Sequence, residues 1–284
     1  MIISNSEVET YLNCQKKHYY AFRKGMKAKG KGRALGFGVL GHRVWEAYYR
    51  GIMHGMKPYD AQQEAIEALM QALMKEEHEG KFTAEAIQMV TGRFAAYTEH
   101  YNPEPFRVLG VEDTQMVEID QDNTFAFTVD LLVEFTKGPF KGEVSPFDFK
   151  WTYNFWSDWE KKMHPQFPKY IWGLRQMGMP VQRAFIDQIR YREDAVDLFE
   201  RYPVNCSEIM LDRIMEEHVM VANEIRALTV LDPVQHDMMT SRRLNRRECK
   251  YCDYNAICFL ELNGKDPTPT WRANFMPSDY GYRR

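Results

Sequence analysis

Two stretches of the chain place acids where apolar side chains are expected. In Phe127-Thr128-Val129-Asp130-Leu131-Leu132-Val133 one carboxylate interrupts a strand-forming run, and in Pro146-Phe147-Asp148-Phe149-Lys150-Trp151 an acid and a lysine do so. An unpaired carboxylate in such a strand is strongly disfavoured, so each acid must be paired, protonated or bound to a cation. Residues i and i+2 of a strand share a face, which points Asp148 and Lys150 the same way, about 6.6 Å apart along the chain. A buried Asp–Lys ion pair, or an acid at a strand end, accounts for either strand taken singly. Together, two carboxylates and an ammonium on neighbouring strands form a site for a hard divalent cation, Mg²⁺ or Mn²⁺, that holds a phosphate and activates water. Phosphodiester hydrolysis needs that neutralisation, and a nearby ammonium can orient the water or stabilise developing charge.

The elements that must carry these residues are legible from periodicity. Ser6-Glu7-Val8-Glu9 has capping-box spacing and predicts a helix to about Phe22. The Gly/Lys-rich stretch Gly25 to Gly36 reads as a loop. Helical periodicity follows over Phe37 to about His54, Pro58 to about Glu79 with Gly80 as a stop, and Thr83 to about Tyr101 before Asn102-Pro103. Strands are predicted over Phe106–Ile119, Phe125–Phe135 and Val144–Trp151. A helix from about Pro165 to Met177, a strand from Val181 to Tyr191 and a helix from Glu208 to about Leu228 complete an α/β pattern with a helical N-terminal lobe. From Asn263 onward, Pro and aromatic residues (Trp271, Phe275, Tyr280, Tyr282) predict an extended tail.

Composition bounds the class. The chain has 284 residues, with 37 Lys+Arg against 40 Asp+Glu and a formal charge of −3. No apolar run approaches the roughly 20 residues of a membrane helix, and the N-terminus lacks the layout of a signal peptide. A cytoplasmic protein is the expectation. Charge is unevenly spread. Between Gln15 and Arg33 lie Lys16, Lys17, Arg23, Lys24, Lys27, Lys29, Lys31 and Arg33 with no acid, and Arg242, Arg243, Arg246, Arg247 and Lys250 form a second cluster. Each is either a solvated surface or a phosphate-binding face for nucleic acid. Cys14 adjoins the first cluster and Cys249, Cys252 and Cys258 the second, so a shared metal centre would join them into one patch. A remote cysteine plus C-x2-C-x5-C suits four-thiolate ligation of an iron–sulfur cluster or of zinc, zinc usually drawing on paired C-x2-C knuckles. Cys206 stands apart as a plain thiol.

Asp130…Asp148-x-Lys150 resembles the PD-(D/E)XK signature of the restriction-endonuclease-like superfamily. Gly38-x-x-x-His42 is similar to the helix motif of RecB-like nucleases, and Gln166-x-x-x-Tyr170 to the Gln/Tyr motif after their lysine strand. Cys14 with Cys249, Cys252 and Cys258 resembles the split cysteine set of the iron–sulfur branch, which includes the CRISPR-adaptation exonucleases and the nuclease domain of AddB. The resemblance runs from about residue 4 to 260. It implies a mixed central sheet flanked by helices, a single nuclease domain over 1–262 with a helical lobe at about 37–102, and a tail over 263–284. It also implies a metal-dependent DNA exonuclease of bacterial or phage origin, acting on single-stranded or frayed ends in recombination, repair or end processing. Partners beyond DNA would be recombination or replication proteins.

By the same resemblance, His42, Asp130, Asp148 and the Phe149 carbonyl hold Mg²⁺ or Mn²⁺, Lys150 positions water, and Gln166 and Tyr170 line the site and contact substrate. Glu112 is a further candidate from its placement on the preceding strand. The cysteines would hold a [4Fe-4S] cluster that staples the two ends of the chain, with structural zinc as the alternative. Lys16, Lys17, Arg23, Lys24, Arg242, Arg243, Arg246 and Arg247 would bind the phosphate backbone. Trp151, Phe155, Trp156 and Trp159 are either base-stacking or core residues. The other class of reading is a catalytically silent DNA-binding or recruitment factor on the same scaffold.

Overall fold

The computed structural model describes residues 1–29, 33–76 and 83–278. In chain order these form β1 (Ile2–Ser4), α1 (Asn5–Asn13), α2 (Gln15–His18) continued by a π-helical turn (Tyr19–Arg23), β2 (Met26–Ala28), α3 (Arg33–Met53), α4 (Pro58–Glu76) and α5 (Ala84–His100). Then come β3 (Phe106–Glu118), β4 (Thr124–Phe135), β5 (Val144–Thr152), α6 (Asp158–Met163), α7 (Gln166–Gln176), β6 (Arg183–Arg190) and β7 (Phe199–Asn205). Last are α8 (Glu208–Thr229), α9 (Pro233–Met239), α10 (Arg246–Lys250), α11 (Asn255–Leu262), α12 (Thr268–Asn274) and β8 (Phe275–Pro277).

The chain divides into two compact units, one of residues 1–30, 116–126 and 215–284, the other of residues 31–115 and 127–214. The second unit carries the order β4-β5-β6-β7, with β3 beside β4. β4 and β5 run antiparallel, β5 and β6 parallel, and β6 and β7 antiparallel, so this is a mixed sheet. Alternation along β5 assigns its faces. Phe147 and Phe149 join the apolar core with Leu40, Val44 and Trp45 of α3, Ala65 and Leu69 of α4, and Val90 and Phe94 of α5. Asp148 and Lys150 face the other way, toward α7. Truncating a fully buried residue such as Phe94 to alanine would cost about 3–5 kcal/mol.

Two glycines set the approach of helix to sheet. A Cβ at Gly41 of α3 would lie 1.9 Å from Nε1 of Trp151, and one at Gly173 of α7 would lie 2.5 Å from Phe127. At Gly38, the glycine of the helix motif, an added Cβ meets nothing within 4 Å among the described residues.

In the first unit β1 pairs in parallel with Thr124–Ala126. Ile3, Val8 and Tyr11 pack there against Val221, Ala222 and Ile225 of α8. Tyr19, Tyr20, Tyr254, Ile257 and Phe275 form a second cluster.

Several expectations are corrected. The first helix is capped by Ser4, whose Oγ accepts from the Glu7 N–H, so the box at Ser6 is not the start. It breaks at Cys14, an extended residue (φ −166°, ψ 110°) that no 3.6-residue pattern reveals. The loop expected over Gly25–Gly36 contains β2, and α3 begins at Arg33, with residues 30–32 outside the described set. Gly80 also lies outside it. The tail is not extended throughout: Asp266 accepts from the Thr268 N–H, Pro269 fits the first turn, and α12 forms before β8 pairs with β2. Tyr280 and Tyr282 fall outside the described residues.

Candidate active site

The paired strands part at the acids. The β4–β5 ladder runs from Glu134↔Val144 to Leu131↔Phe147 and stops there, one residue short of Asp130 and Asp148. The Phe149 N–H, freed from that ladder, donates to Asp130 Oδ2 at 2.8 Å. N–H and C=O of an extended residue leave on the same edge, so the Phe149 carbonyl faces the same opening.

Four elements converge on this opening. From α3, His42 Nδ1 lies 3.4 Å from Asp130 Oδ2 and 3.3 Å from Glu112 Oε1. Gly41 makes this reach possible by letting α3 lie directly on Trp151. From β3, Glu112 is aimed by a backbone kink: its φ is +50°, a region costly for a residue with a Cβ, and burial alternation slips at Gly110-Val111 just before it. From β5, Lys150 Nζ is 2.6 Å from Asp148 Oδ2. From α7, Gln166 bridges that pair: its Nε2 donates to Asp148 Oδ1 at 2.9 Å and to the Tyr170 hydroxyl, while its Oε1 accepts from Lys150 Nζ at 3.1 Å. Pro168 sits in the first turn of α7, where its missing N–H costs nothing.

Among the described residues, His42, Glu112 and Asp130 are the group whose ligand atoms all lie within 4.8 Å of one another. Glu112, a marginal candidate on sequence, therefore stands inside the tight cluster, whereas Asp148 is drawn to Lys150 and Gln166. Electrostatics mark the site as short of positive charge. Burial, with the Asp148 charge added, lifts the Asp130 pKa from 3.8 to about 7, and His42 and Lys150 oppose that rise. Burial works against the His42 imidazolium, yet Asp130, the Glu112 hydrogen bond and Asp148 outweigh it and raise its pKa from 6.5 to about 9. The His42 side chain stays 35% exposed, so solvent screening tempers that shift. Burial and both aspartates hold the Tyr170 phenol well above its ordinary pKa, so it remains a donor. Oxygen ligands, an imidazole and crowded like charges are the donor set of a hard divalent cation, and the residues present fit one.

A model of the PD-(D/E)XK nuclease superfamily matches residues 2–259. The chain belongs to that superfamily. No curated protein sequence matches it significantly. Among solved structures it is similar to a Eubacterium rectale protein provisionally described as an exonuclease, at 13% identity over 92% of each chain with a TM-score of 0.51. A second match, to the protein designated SSO0001, has 16% identity over 76% of this chain and 84% of that one, with a TM-score of 0.33. The fold is thus the mixed α/β architecture of a PD-(D/E)XK nuclease. No described helix is long and apolar enough to cross a membrane.

The cysteine set lies in the first unit. Cys14, Cys249, Cys252 and Cys258 line one cavity of about 210 Å³ together with Lys17, Tyr20 and Arg242. The break after α1 puts Cys14 there, and Arg242 Nε donates to Cys258 Sγ at 3.2 Å. Cys206 is not part of this set, and burial pushes its thiol up to about 11.

The basic clusters are not uniform surfaces. Lys16, expected on the phosphate face, is 2% exposed and its ammonium is bonded to Asp237, because burial in a Tyr19/Tyr20 environment demands a partner. Arg242 is committed to Cys258 and Glu261, and Arg23 donates to the Leu231 carbonyl. Lys24, Arg243, Arg246 and Arg247 are exposed. Of the aromatic candidates, Trp151 is packed beneath Gly41, Phe155 lies under the Arg190 guanidinium at 3.7 Å, and Trp156 stacks on His164 at 5.1 Å. Trp159 is 70% exposed.

Proposed function

We propose that this PD-(D/E)XK protein is a Mg²⁺- or Mn²⁺-dependent deoxyribonuclease that works as an exonuclease on single-stranded or frayed DNA ends. The observation that carries the reading is the parting of β4 and β5 at Asp130 and Asp148, with the Phe149 N–H bonded across the gap to Asp130 and with Lys150 and Gln166 bonded to Asp148 beside it. His42, Glu112 and Asp130, with Asp148 and the Phe149 carbonyl, would hold the ion. When bound, the ion supplies neutralisation of phosphate oxygens and a lowered pKa for water. Lys150 orients the attacking water and balances charge that develops on the phosphate. Gln166 fixes the spacing of Asp148 and Lys150, and Tyr170 anchors Gln166. Lys17, Lys24, Arg243, Arg246 and Arg247 bind backbone phosphates. Processing of DNA ends in recombination or repair is the setting that suits this chemistry.

The cysteines, in this proposal, hold a [4Fe-4S] cluster, as in the RecB-like iron–sulfur branch. What supports a shared centre is that all four cysteines line one cavity. Its role is a staple between the two ends of the first unit.

The test is digestion of end-labelled single-stranded and duplex DNA by anaerobically purified protein with Mn²⁺. Stepwise release of nucleotides, abolished in Asp148→Ala and Lys150→Ala, is expected. Unchanged DNA binding without cleavage in any divalent metal would replace the enzyme with a recruitment factor. Iron with a brown chromophore is expected at the cysteines, and a colourless protein with stoichiometric zinc would overturn that part.

A further inference from the structure

The parallel strands β5 and β6 end side by side at Thr152 and Arg190, and the chain leaves them through Tyr153 and through Tyr191-Arg192. The region outside the carboxyl ends of parallel strands is where α/β folds take ligands. In this unit it is a groove of about 660 Å³, lined also by Phe37 of α3 and Glu85 of α5. One wall is a ladder of rings. Trp151 and Phe37 lie 6.4 Å apart at 16°, and Phe37 and Tyr191 lie 5.1 Å apart at 20°. Tyr153 stands 5.8 Å from Tyr191, is 55% exposed, and has the Arg192 guanidinium 5.9 Å from its ring centroid. Tyr153 meets Tyr191 edge-on at 62°, outside the near-parallel set, and its own exposed face is a surface for another planar ring.

Charge narrows the choice of ring. Glu85, Glu193 and Asp194 line the groove, and the opposing Arg192 is already paired with Asp194 at 2.9 Å. A phosphate entering here meets net negative charge. An uncharged base does not, and carboxylates accept hydrogen bonds from the exocyclic amines of cytosine, adenine and guanine, which thymine lacks. Position narrows it further. Tyr153 is three residues beyond Lys150, on the order of 10 Å of strand, and by the alternation of β5 it leaves on the Phe147–Phe149 face, so a bound strand rounds the end of β5 to reach it. That is a span of a few nucleotides of an unpaired strand.

We propose that this groove holds an unpaired base of the strand whose phosphate lies at the Asp148–Lys150 site. Tyr153 stacks on that base, and the acids favour bases that carry an amine. The inference rests on the nuclease reading and deepens it, since it makes an unpaired, amine-bearing nucleotide a few steps from the cleaved bond part of what the enzyme recognises.

Two measurements separate the inference from the reading it rests on. The first is fluorescence anisotropy in EDTA with short oligodeoxycytidine and oligothymidine. Tyr153→Ala is expected to weaken oligodeoxycytidine binding roughly 5- to 150-fold, as loss of one stacked base does. Tyr153→Phe keeps the affinity, and Glu193→Gln with Asp194→Asn removes the preference over oligothymidine. Because Tyr153 is exposed, circular dichroism of the variant is expected to match the parent. The second is cleavage with Mn²⁺ of strands with one abasic position placed in turn at each of the first few steps from the scissile bond, read at the position of greatest effect. KM rises by the same factor at constant kcat, and Tyr153→Ala adds no further loss.

If the parent cleaves DNA while Tyr153→Ala and the abasic position change neither KM nor binding, the groove inference is overturned and the nuclease reading stands. If nothing is cleaved but Tyr153-dependent binding of oligodeoxycytidine persists, the nuclease reading falls and the base site stands. Tyr153-dependent binding of spermine in place of any oligonucleotide would make the groove a cation site and overturn the inference.

Discussion

Nδ1 of His42 and Oε1 of Glu112 meet at 3.3 Å although 70 residues separate them in the chain. The contact depends on two backbone features: α3 lies close to β5 at Gly41, and β3 is turned at Glu112 to a φ of +50°. Strain of this kind persists where surrounding structure holds it, and it concentrates at functional sites.

Glu112→Gly separates that strain from the proposed ligand role. Glycine accepts the positive φ, and removal of one acid relieves like charge around Asp130. In EDTA the variant is expected to be more stable by about 1 kcal/mol, a rise of roughly 2 °C in Tm. In Mn²⁺ the parent gains stability by ligand linkage and the variant gains much less. Differential scanning fluorimetry with and without Mn²⁺ reads both effects, and an undiminished Mn²⁺ increment would remove Glu112 from the ligands.

Lys150 and Gln166 differ in what they are expected to lose. Lys150→Met removes a charge that acts on the reacting phosphate, and kcat should fall roughly 10²- to 10³-fold or more. Gln166→Leu removes the bridge to Asp148 and Lys150 and the bond to Tyr170 but no charge, and a loss of about 10- to 100-fold is expected. Single-turnover cleavage under saturating Mn²⁺ compares them, and equal losses would place Gln166 on the substrate itself.

Gly41→Ala tests the approach of α3. Its Cβ would fall 1.9 Å from Trp151 Nε1, so helix or indole must shift, at a cost of about 1–3 kcal/mol. The same substitution at Gly38, where the space is open, should leave stability nearly unchanged. Urea unfolding of the two variants is the comparison, and similar midpoints would mean that Trp151 yields freely.

His236 gives the fold a dependence on acid. It is fully buried and packed on Tyr19 at 5.1 Å, and neither ring nitrogen has a hydrogen-bonding partner among the described residues. Burial first, then the charges of Arg23 and His18, lower its pKa from 6.5 to about 4. The unfolded chain therefore binds more protons between those values. The contribution is whole above about pH 6.5 and drains away as pH falls toward 4. His236→Phe should flatten that part of the stability profile relative to the parent, and parallel profiles would rule out the assignment.

The long elements were legible because each repeats one pattern many times. α3 to α5 carry apolar residues at helical spacing, and β4 and β5 are apolar runs in which Asp130 and Asp148 are conspicuous. Features that depend on one residue's backbone or on a distant partner were not. Nothing local in Gly110-Val111-Glu112 announces a positive φ, although a glycine two places before an acid on a strand was a usable hint. The extended Cys14 interrupts what reads as one helix. Lys16 looked like one member of a basic run because Asp237 lies 221 residues away. β1, β2 and β8, of three residues each, are too short to show an alternation at all.

The Lys150–Asp148 clasp ties two of the proposed roles together. With the ammonium 2.6 Å from Asp148 Oδ2 and Gln166 bonded to the other oxygen, both oxygens of this mid-strand acid have partners within the protein. On the proposed reading, a change that tightened the hold of Lys150 on Asp148 would weaken Asp148 as a ligand, so the two roles would trade against each other.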